Sequence, residues 1–160
     1  MWRVSRPHIA EVGRVDGTEH FRNVKRHEVS THPHVVAVRF DASFNFANAP
    51  YFEAYLLGLA ADREGLKKIL LIASGINDID ATGIETLQTI RQELQSAEIE
   101  FYMSDVKGPV SDRLRAAAFD SAFLEHQIFL SADTAFKTLA QRDVCQRDEC
   151  QLQPTAGVPA

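Results

Sequence analysis

Cysteine is scarce in this sequence: Cys145 and Cys150 are the two in 160 residues, and both sit in a polar C-terminal stretch. That argues against a disulfide framework or a zinc site and suits a reducing compartment. Long apolar runs are missing as well. Nothing approaches the roughly 20 residues that span a bilayer, so this stretch is not expected to cross a membrane. MWRVSRPHIA also lacks the apolar core of a signal peptide. Positive charge is in deficit, with 17 Lys and Arg against 22 Asp and Glu and a formal net charge of −5. That is the wrong sign for a nucleic-acid polymer as partner. There is no G-x-x-x-x-G-K-[ST] phosphate loop, since Gly75 and Gly83 are isolated. The six histidines (His8, His20, His27, His32, His34, His126) are scattered, and none has a metal spacing such as H-E-x-x-H. His32 and His34 are near enough to share a metal, but their turn-like setting reads as solvated. No nucleophile–base pair, carboxylate pair or ligand cluster can be assembled. No catalytic residue, metal or cofactor is expected, and the sequence reads as a non-enzyme.

What remains is an ordinary globular composition, 45% hydrophobic and 24% charged, enough to bury a core in one domain with tails. The chain is organised around Lys67 to Ser96. Ile69-Leu70-Leu71-Ile72-Ala73 shows no alternation and predicts a strand buried on both faces. A polar loop, Ser74-Gly75-Ile76-Asn77-Asp78, leads to Asp80-Ala81-Thr82-Gly83. Ile84, Leu87, Ile90 and Leu94 then mark one face of a helix. Thr82 and Glu85 fit a capping box, with the hydroxyl on the N3 amide and Glu85 reaching back. This sets Thr82 beside Asp80 at the positive end of a helix, where a phosphate, bound or covalent, is stabilised. The plain architectural reading is a capped helix that binds nothing.

Elsewhere, Ile9 to Val15 alternates weakly and predicts a first strand interrupted at Gly13, followed by an Asp16-Gly17 turn. Glu19 to Glu28 is charged and reads as irregular. Val35 to Phe40 predicts a second strand. Asn48 is the expected N-cap, with Pro50 in the first turn, of a helix through Phe52, Leu56 and Leu59 to about Asp62. Ile99, Phe101 and Met103 mark a strand with one face more apolar than the other. Gly108-Pro109 opens a third helix, Ile128-Phe129-Leu130 is a short strand, and Ser131 caps a fourth helix. From Gln141 the pattern dissolves into a tail of disordered composition. The order β-β-α-β-α-β-α-(β)-α implies right-handed crossovers and a largely parallel sheet covered by helices.

The candidate surface residues gather near Thr82. Phe44 and Phe46 alternate on an extended segment, so both rings would face one way, lining a groove for a base or an apolar partner or else packing into the core. Asn48 reads as a cap before a ligand contact. Asp78 and Asp80 are the acidic residues a partner would read. Arg22, Lys25 and Arg26 form a charge run that reads as a solvated face.

LLIASGINDIDATGIETL, with its aliphatic strand, Asp-x-[Ser/Thr]-Gly turn and aliphatic helix, resembles the signature of STAS domains, shared by sulfate transporters and anti-sigma-factor antagonists. WRVSRPHIAEVGRVDGTEHFRNVKRHEV and VVAVRFDASFNFANAPYF resemble the segment joining the last membrane helix to the STAS domain in bacterial SulP-type anion transporters. Together they extend the likeness over residues 2–142. The resemblance implies the STAS (SpoIIAA-like) fold, a small mixed and mostly parallel sheet with about four helices. It implies a connector at 1–8, the STAS domain at 9–142 and a disordered tail at 143–160. The parent would move sulfate, bicarbonate or another small anion across the bacterial inner membrane, and this chain would be its C-terminal module on the cytoplasmic side. The implied role is regulatory and non-catalytic. The implied partners are the transmembrane domain of the same transporter and a nucleotide or soluble protein.

In the antagonists the hydroxyl residue just before the motif's Gly is phosphorylated, and Thr82 holds that position ahead of Gly83. Asp80-Ala81-Thr82-Gly83 departs from the antagonists' Asp-Ser-Ser-Gly. The alternative reading is a stand-alone anti-sigma-factor antagonist that switches partners through Thr82. The lead from Trp2 to Val29 favours the transporter module, because a free antagonist needs no membrane-proximal connector.

Overall fold

Aliphatic and β-branched runs form the centre of one six-stranded sheet in the computed structural model, which describes residues 5–151 and side chains up to residue 141. The elements in chain order are β1 (Ile9–Arg14), β2 (Phe21–Asn23), β3 (Val35–Phe40), α1 (Ala49–Asp62), β4 (Lys68–Ile72), α2 (Ala81–Ser96) and β5 (Glu100–Ser104). They continue with α3 (Gly108–Ala116), α4 (Ser121–His126), β6 (Ile128–Phe129) and α5 (Ala132–Gln151). The strand order is β2-β1-β3-β4-β5-β6. β1 runs antiparallel to both neighbours, while β3, β4, β5 and β6 are mutually parallel. The sheet is therefore mixed and mostly parallel.

β3 and β4 carry no polar–apolar alternation because both faces of the sheet are covered. Val36, Val38, Phe40, Ile69, Leu71, Phe101 and Met103 face Phe52 and Leu56 of α1, Leu87, Ile90 and Leu94 of α2, and Val110, Leu114 and Phe123 beyond them. The opposite face presents Val35, Ala37, Leu70, Ile72 and Tyr102 to Ala132, Ala135, Phe136 and Leu139 of α5. Full burial of one such Leu or Ile contributes about 2 kcal/mol. Lys68 lies buried on this second face, and its Nζ donates to the Leu139 carbonyl at 3.2 Å.

Several expectations need correction. β1 is not interrupted at Gly13, which pairs with Arg22. The glycine is there for room: a Cβ would sit 2.5 Å from Val29 Cγ2 and 2.8 Å from the Ser30 carbonyl oxygen. The segment read as irregular contains β2, whose Phe21 packs edge-on against Phe136 at 5.8 Å. A short helix, α4, was not anticipated; Asp120 caps it, accepting from the Ala122 and Phe123 amides. With it the described helices number five, in keeping with the about four expected. β5 has the more apolar face expected, Phe101 and Met103, and its other face, with Tyr102 and Ser104, is buried as well. α5 runs to Gln151, into the segment expected to be tail. That stretch contains no Gly or Pro to stop a helix, and residues 152–160 lie outside the described residues.

Candidate functional site

The loops that follow β3 and β4 meet at the carboxyl end of the parallel strands, the usual place for a site in such sheets. The β4 loop is pinned from below by Ile76 and Ile79, both buried, and Ile79 forms a lone parallel bridge with Phe44. The Phe44 amide donates to the Asp78 carbonyl at 2.9 Å, and the Asp80 amide donates to the Phe44 carbonyl at 3.1 Å. The two loops are thus laced into one surface.

Asp80 is the residue that fixes the geometry. It is the N-cap of α2, with one carboxylate oxygen accepting from the Gly83 amide at 2.8 Å and the other from the Phe46 amide at 3.0 Å. A single carboxylate therefore caps the helix and holds the neighbouring loop. The capping box expected from Thr82 and Glu85 does not form. The helix starts at Ala81, two residues before the box would allow, because the Asp80 carboxylate takes the Gly83 amide and sets the N-cap two residues ahead of Thr82. Thr82 and Glu85 are both exposed in the first turns. Gly83 is buried under the Phe44 loop; a Cβ there would sit 2.8 Å from the Phe44 carbonyl oxygen and 2.9 Å from Ile79 Cγ1. The Asp-x-Thr-Gly pattern thus supplies a cap, an outward hydroxyl and a close approach of backbones.

Phe44 and Phe46 do not face the same way. Phe44 is buried against Phe40 and Phe52, with ring centroids 5.7 and 5.0 Å away, whereas Phe46 is 71% exposed. Alternation fails because the chain turns at 45–48 instead of staying extended. Asn48 makes that turn. It is buried; its Oδ1 accepts from the Asn45 amide at 3.0 Å and its Nδ2 donates to the Ser43 carbonyl at 2.9 Å. It stands at the N-cap position of α1, but its side chain makes no capping bond to the helix. Loop stapling, not capping, is its work.

Asp78 is exposed and paired with Arg113 of α3 at 3.1 Å, and Arg113 also donates to the Ile79 carbonyl at 2.8 Å. The role of Arg113 was missed, since on α3 it reads as one more charge on a solvated face beside Asp112 and Arg115. It forms one wall of a groove of about 470 Å³ between α2 and α3, with Ala81, Ile84, Gln88, Ala116 and Ala117. Ala81 and Glu85, on either side of Thr82 in the sequence, both line this groove. Phe46 and Thr82 are thus exposed above a rigid frame of Asp80, Gly83, Asn48 and Phe44. The arrangement offers an aromatic face, a hydroxyl, a helix end and a shallow groove, and among the described residues no group of three or more His, Cys, Asp or Glu could hold a metal. It is a surface suited to recognition.

This fold and this helix-start surface define a class. The STAS-domain family model matches residues 26–135, and the chain belongs to the STAS domain family. A probable sulfate transporter of Mycobacterium tuberculosis is 30% identical over 142 residues, which are 88% of this chain and 25% of that protein. The murine Solute Carrier 26 family member A9 anion transporter, in its inward-facing state, superposes with a TM-score of 0.78 at 17% identity, covering 88% of this chain and 23% of that one. The STAS domain of a SulP transporter from Vibrio cholerae gives 0.61 at 18% identity, over 77% of this chain and 94% of that one. A putative anti-sigma factor antagonist from Thermotoga maritima gives 0.60 at 18% identity, over 71% and 92%. The structural likenesses carry the fold. The sequence likeness ties this STAS domain to sulfate transporters of the SulP family, of whose length it spans about a quarter. No described helix is long and apolar enough to cross a membrane.

Proposed function

We propose that this chain is the regulatory and interaction module of a SulP-type sulfate or related anion transporter, lying on the cytoplasmic side of the inner membrane and non-catalytic. The observation that carries the reading is the reach of the transporter likeness. It extends at 30% identity over 88% of this chain, past the 110 residues of the family match, whereas an anti-sigma factor antagonist that superposes on a similar 86% is 18% identical. In this reading residues 1–8 connect to the transmembrane domain of the same polypeptide, which is the first partner. The surface of Phe46, Asp78, Thr82 and the α2–α3 groove receives a second, either a nucleotide base stacked on Phe46 or a soluble protein. Phosphorylation of Thr82 would add about two negative charges at a helix start whose dipole favours them and whose Asp80 opposes them, changing the partner face more than the fold.

A stand-alone antagonist is the second reading, favoured by the exposure of Thr82 immediately before Gly83. One experiment separates the two. An antibody to this domain is used on fractionated source cells. A membrane-bound antigen far heavier than 17.9 kDa is the expected result. A soluble antigen of about this mass would overturn the transporter reading and turn the search to anti-sigma or kinase-like partners.

A further inference from the structure

Most arginines among the described residues are neutralised by a carboxylate, and three exposed cations that are not lie together in one turn. Among the described arginines, Arg14, Arg39, Arg63, Arg91, Arg113 and Arg115 each lie within 3.4 Å of a carboxylate oxygen. Arg22, Lys25 and Arg26 are exposed, and no carboxylate of the described residues pairs with any of them. The backbone that presents them is ordered. Asn23 Oδ1 accepts from the Lys25 amide at 2.8 Å, and the Asn23 carbonyl accepts from the amides of Arg26 and His27 at 3.1 and 3.2 Å.

The place of this turn in the sheet matters as much as its charge. Asn23 pairs with Val12, and the Val24 amide donates to the Glu11 carbonyl. The turn therefore flanks the first half of β1, within three residues or about 10 Å of Ile9. Arg6, exposed and stacked over Tyr51 at 5.9 Å, lies on the stretch leading into the same strand. Two carboxylates near the first half of β1 are occupied: Glu11 by Arg63, and Asp41 by Arg39 and His8. Asp16 and Glu19 sit in the hairpin at the far end of β1, where Arg14 pairs with Phe21, and Glu28 lies on the return toward Ser30, which bridges Arg14. Arg22, Lys25 and Arg26, none with a carboxylate partner, thus mark the side of the domain at which the chain runs into β1.

We propose that the Arg22–Arg26 turn is a docking surface for anionic lipid headgroups, orienting the domain against the bilayer. The proposal rests on the transporter reading, in which a membrane domain precedes Ile9 and holds this side near the membrane. Three cations on a domain of net charge −5 make a weak contact on their own, and a tether raises the effective concentration enough for it to form. Phosphate headgroups fit separated point charges on a turn, and the interaction is screened by salt.

The test tethers the purified chain by an N-terminal hexahistidine to vesicles of phosphatidylcholine and a nickel-chelating lipid, with or without phosphatidylglycerol. Amide hydrogen exchange is then followed in peptides covering Phe21–Val29 and, as an internal control, α3. The expected result is exchange slowed several-fold at Phe21–Val29 on the anionic vesicles only. That slowing should vanish in 0.5 M salt and in the Arg22→Gln, Lys25→Gln, Arg26→Gln triple variant, with α3 unchanged. Equal exchange on both vesicles, or full protection in the triple variant, overturns the proposal. Unchanged α3 exchange shows the variant to be folded. Because the tether is supplied, the outcome does not depend on the fractionation experiment: a soluble native antigen removes the transporter reading, whereas equal exchange removes the lipid contact alone.

Discussion

Asp80 directs both carboxylate oxygens at backbone amides, Gly83 of its own helix and Phe46 of the neighbouring loop, while Thr82 two residues on points into solvent. Loss of both bonds in Asp80→Ala is expected to cost about 1–3 kcal/mol, combining a lost cap with a released loop amide. Thr82→Ala is expected to stay within about 0.5 kcal/mol of the parent, as exposed substitutions away from caps do. Urea denaturation of the two variants checks the pair, and equal losses would restore Thr82 as the cap. The phenylalanines divide in the same way. Phe44→Ala empties a position wedged between Phe40 and Phe52 and should cost about 3–5 kcal/mol. Phe46→Ala should leave stability nearly unchanged, so that any effect it has on partner binding reads as recognition. Gly83→Ala forces a methyl to within 2.8 Å of the Phe44 carbonyl and should cost about 1–3 kcal/mol through strain. A calorimetric scan showing no loss for it would mean that the Phe44 loop yields freely, and the rigid frame under Phe46 would not exist.

Elements were legible where a single cause dominated. The unbroken Ile69–Ala73 run announced a doubly covered strand, and the three-and-four spacing of Ile84, Leu87, Ile90 and Leu94 announced α2, because burial alone sets those patterns. β2 escaped because three residues beside charged neighbours are too few to show a period, and its pairing with β1 is a tertiary fact. α4 is one turn and a half long, below the length at which periodicity speaks. The site was half legible: Thr82, Asp80 and Gly83 stood out by motif, but Arg113 joins them only through folding, and Phe44 and Phe46 parted because Asn48 turns the loop. Helix ends offer a direct check on this level of structure. α2 and α3 each close through a residue in the left-handed region, Glu98 at φ 58° and Ala118 at φ 53°. The following amides of Ile99 and Phe119 bond back to the Leu94 and Leu114 carbonyls at 2.8 and 3.0 Å. Glycine adopts that conformation without the side-chain penalty. Glu98→Gly and Ala118→Gly are each expected to stabilise by about 0.5–1 kcal/mol, additively because they end different helices. A fall in melting temperature for either would show that its turn is not held as described.

At the scale of the whole molecule, the two cores share one sheet, so loosening α5 from the second face should be felt as a loss of global stability in a single transition. The charged contact at the start of α5 is buried at Asp133, which takes Lys137 Nζ at 2.6 Å and Arg14 Nε at 2.7 Å. The hydrogen bond from Lys137, aided by the charge of Arg14, holds the Asp133 carboxyl below the ordinary carboxylate range despite the opposing push of burial. A carboxyl whose folded-state pKa is lowered stabilises the fold above its unfolded value, near 3.9, and loses that contribution as pH falls through the folded value. Asp133→Asn should therefore be less stable than the parent by about 1–2 kcal/mol at pH 7, with the gap closing steadily below about pH 4. The measurement is a set of urea midpoints from pH 7 down to pH 2.5 for both proteins. A gap that stays constant across that range would mean that the asparagine loses only shape and hydrogen bonding. In that case the ionised carboxylate would have no part in seating α5 on the sheet, and the apolar set of Ala132, Ala135, Phe136 and Leu139 would hold the helix alone.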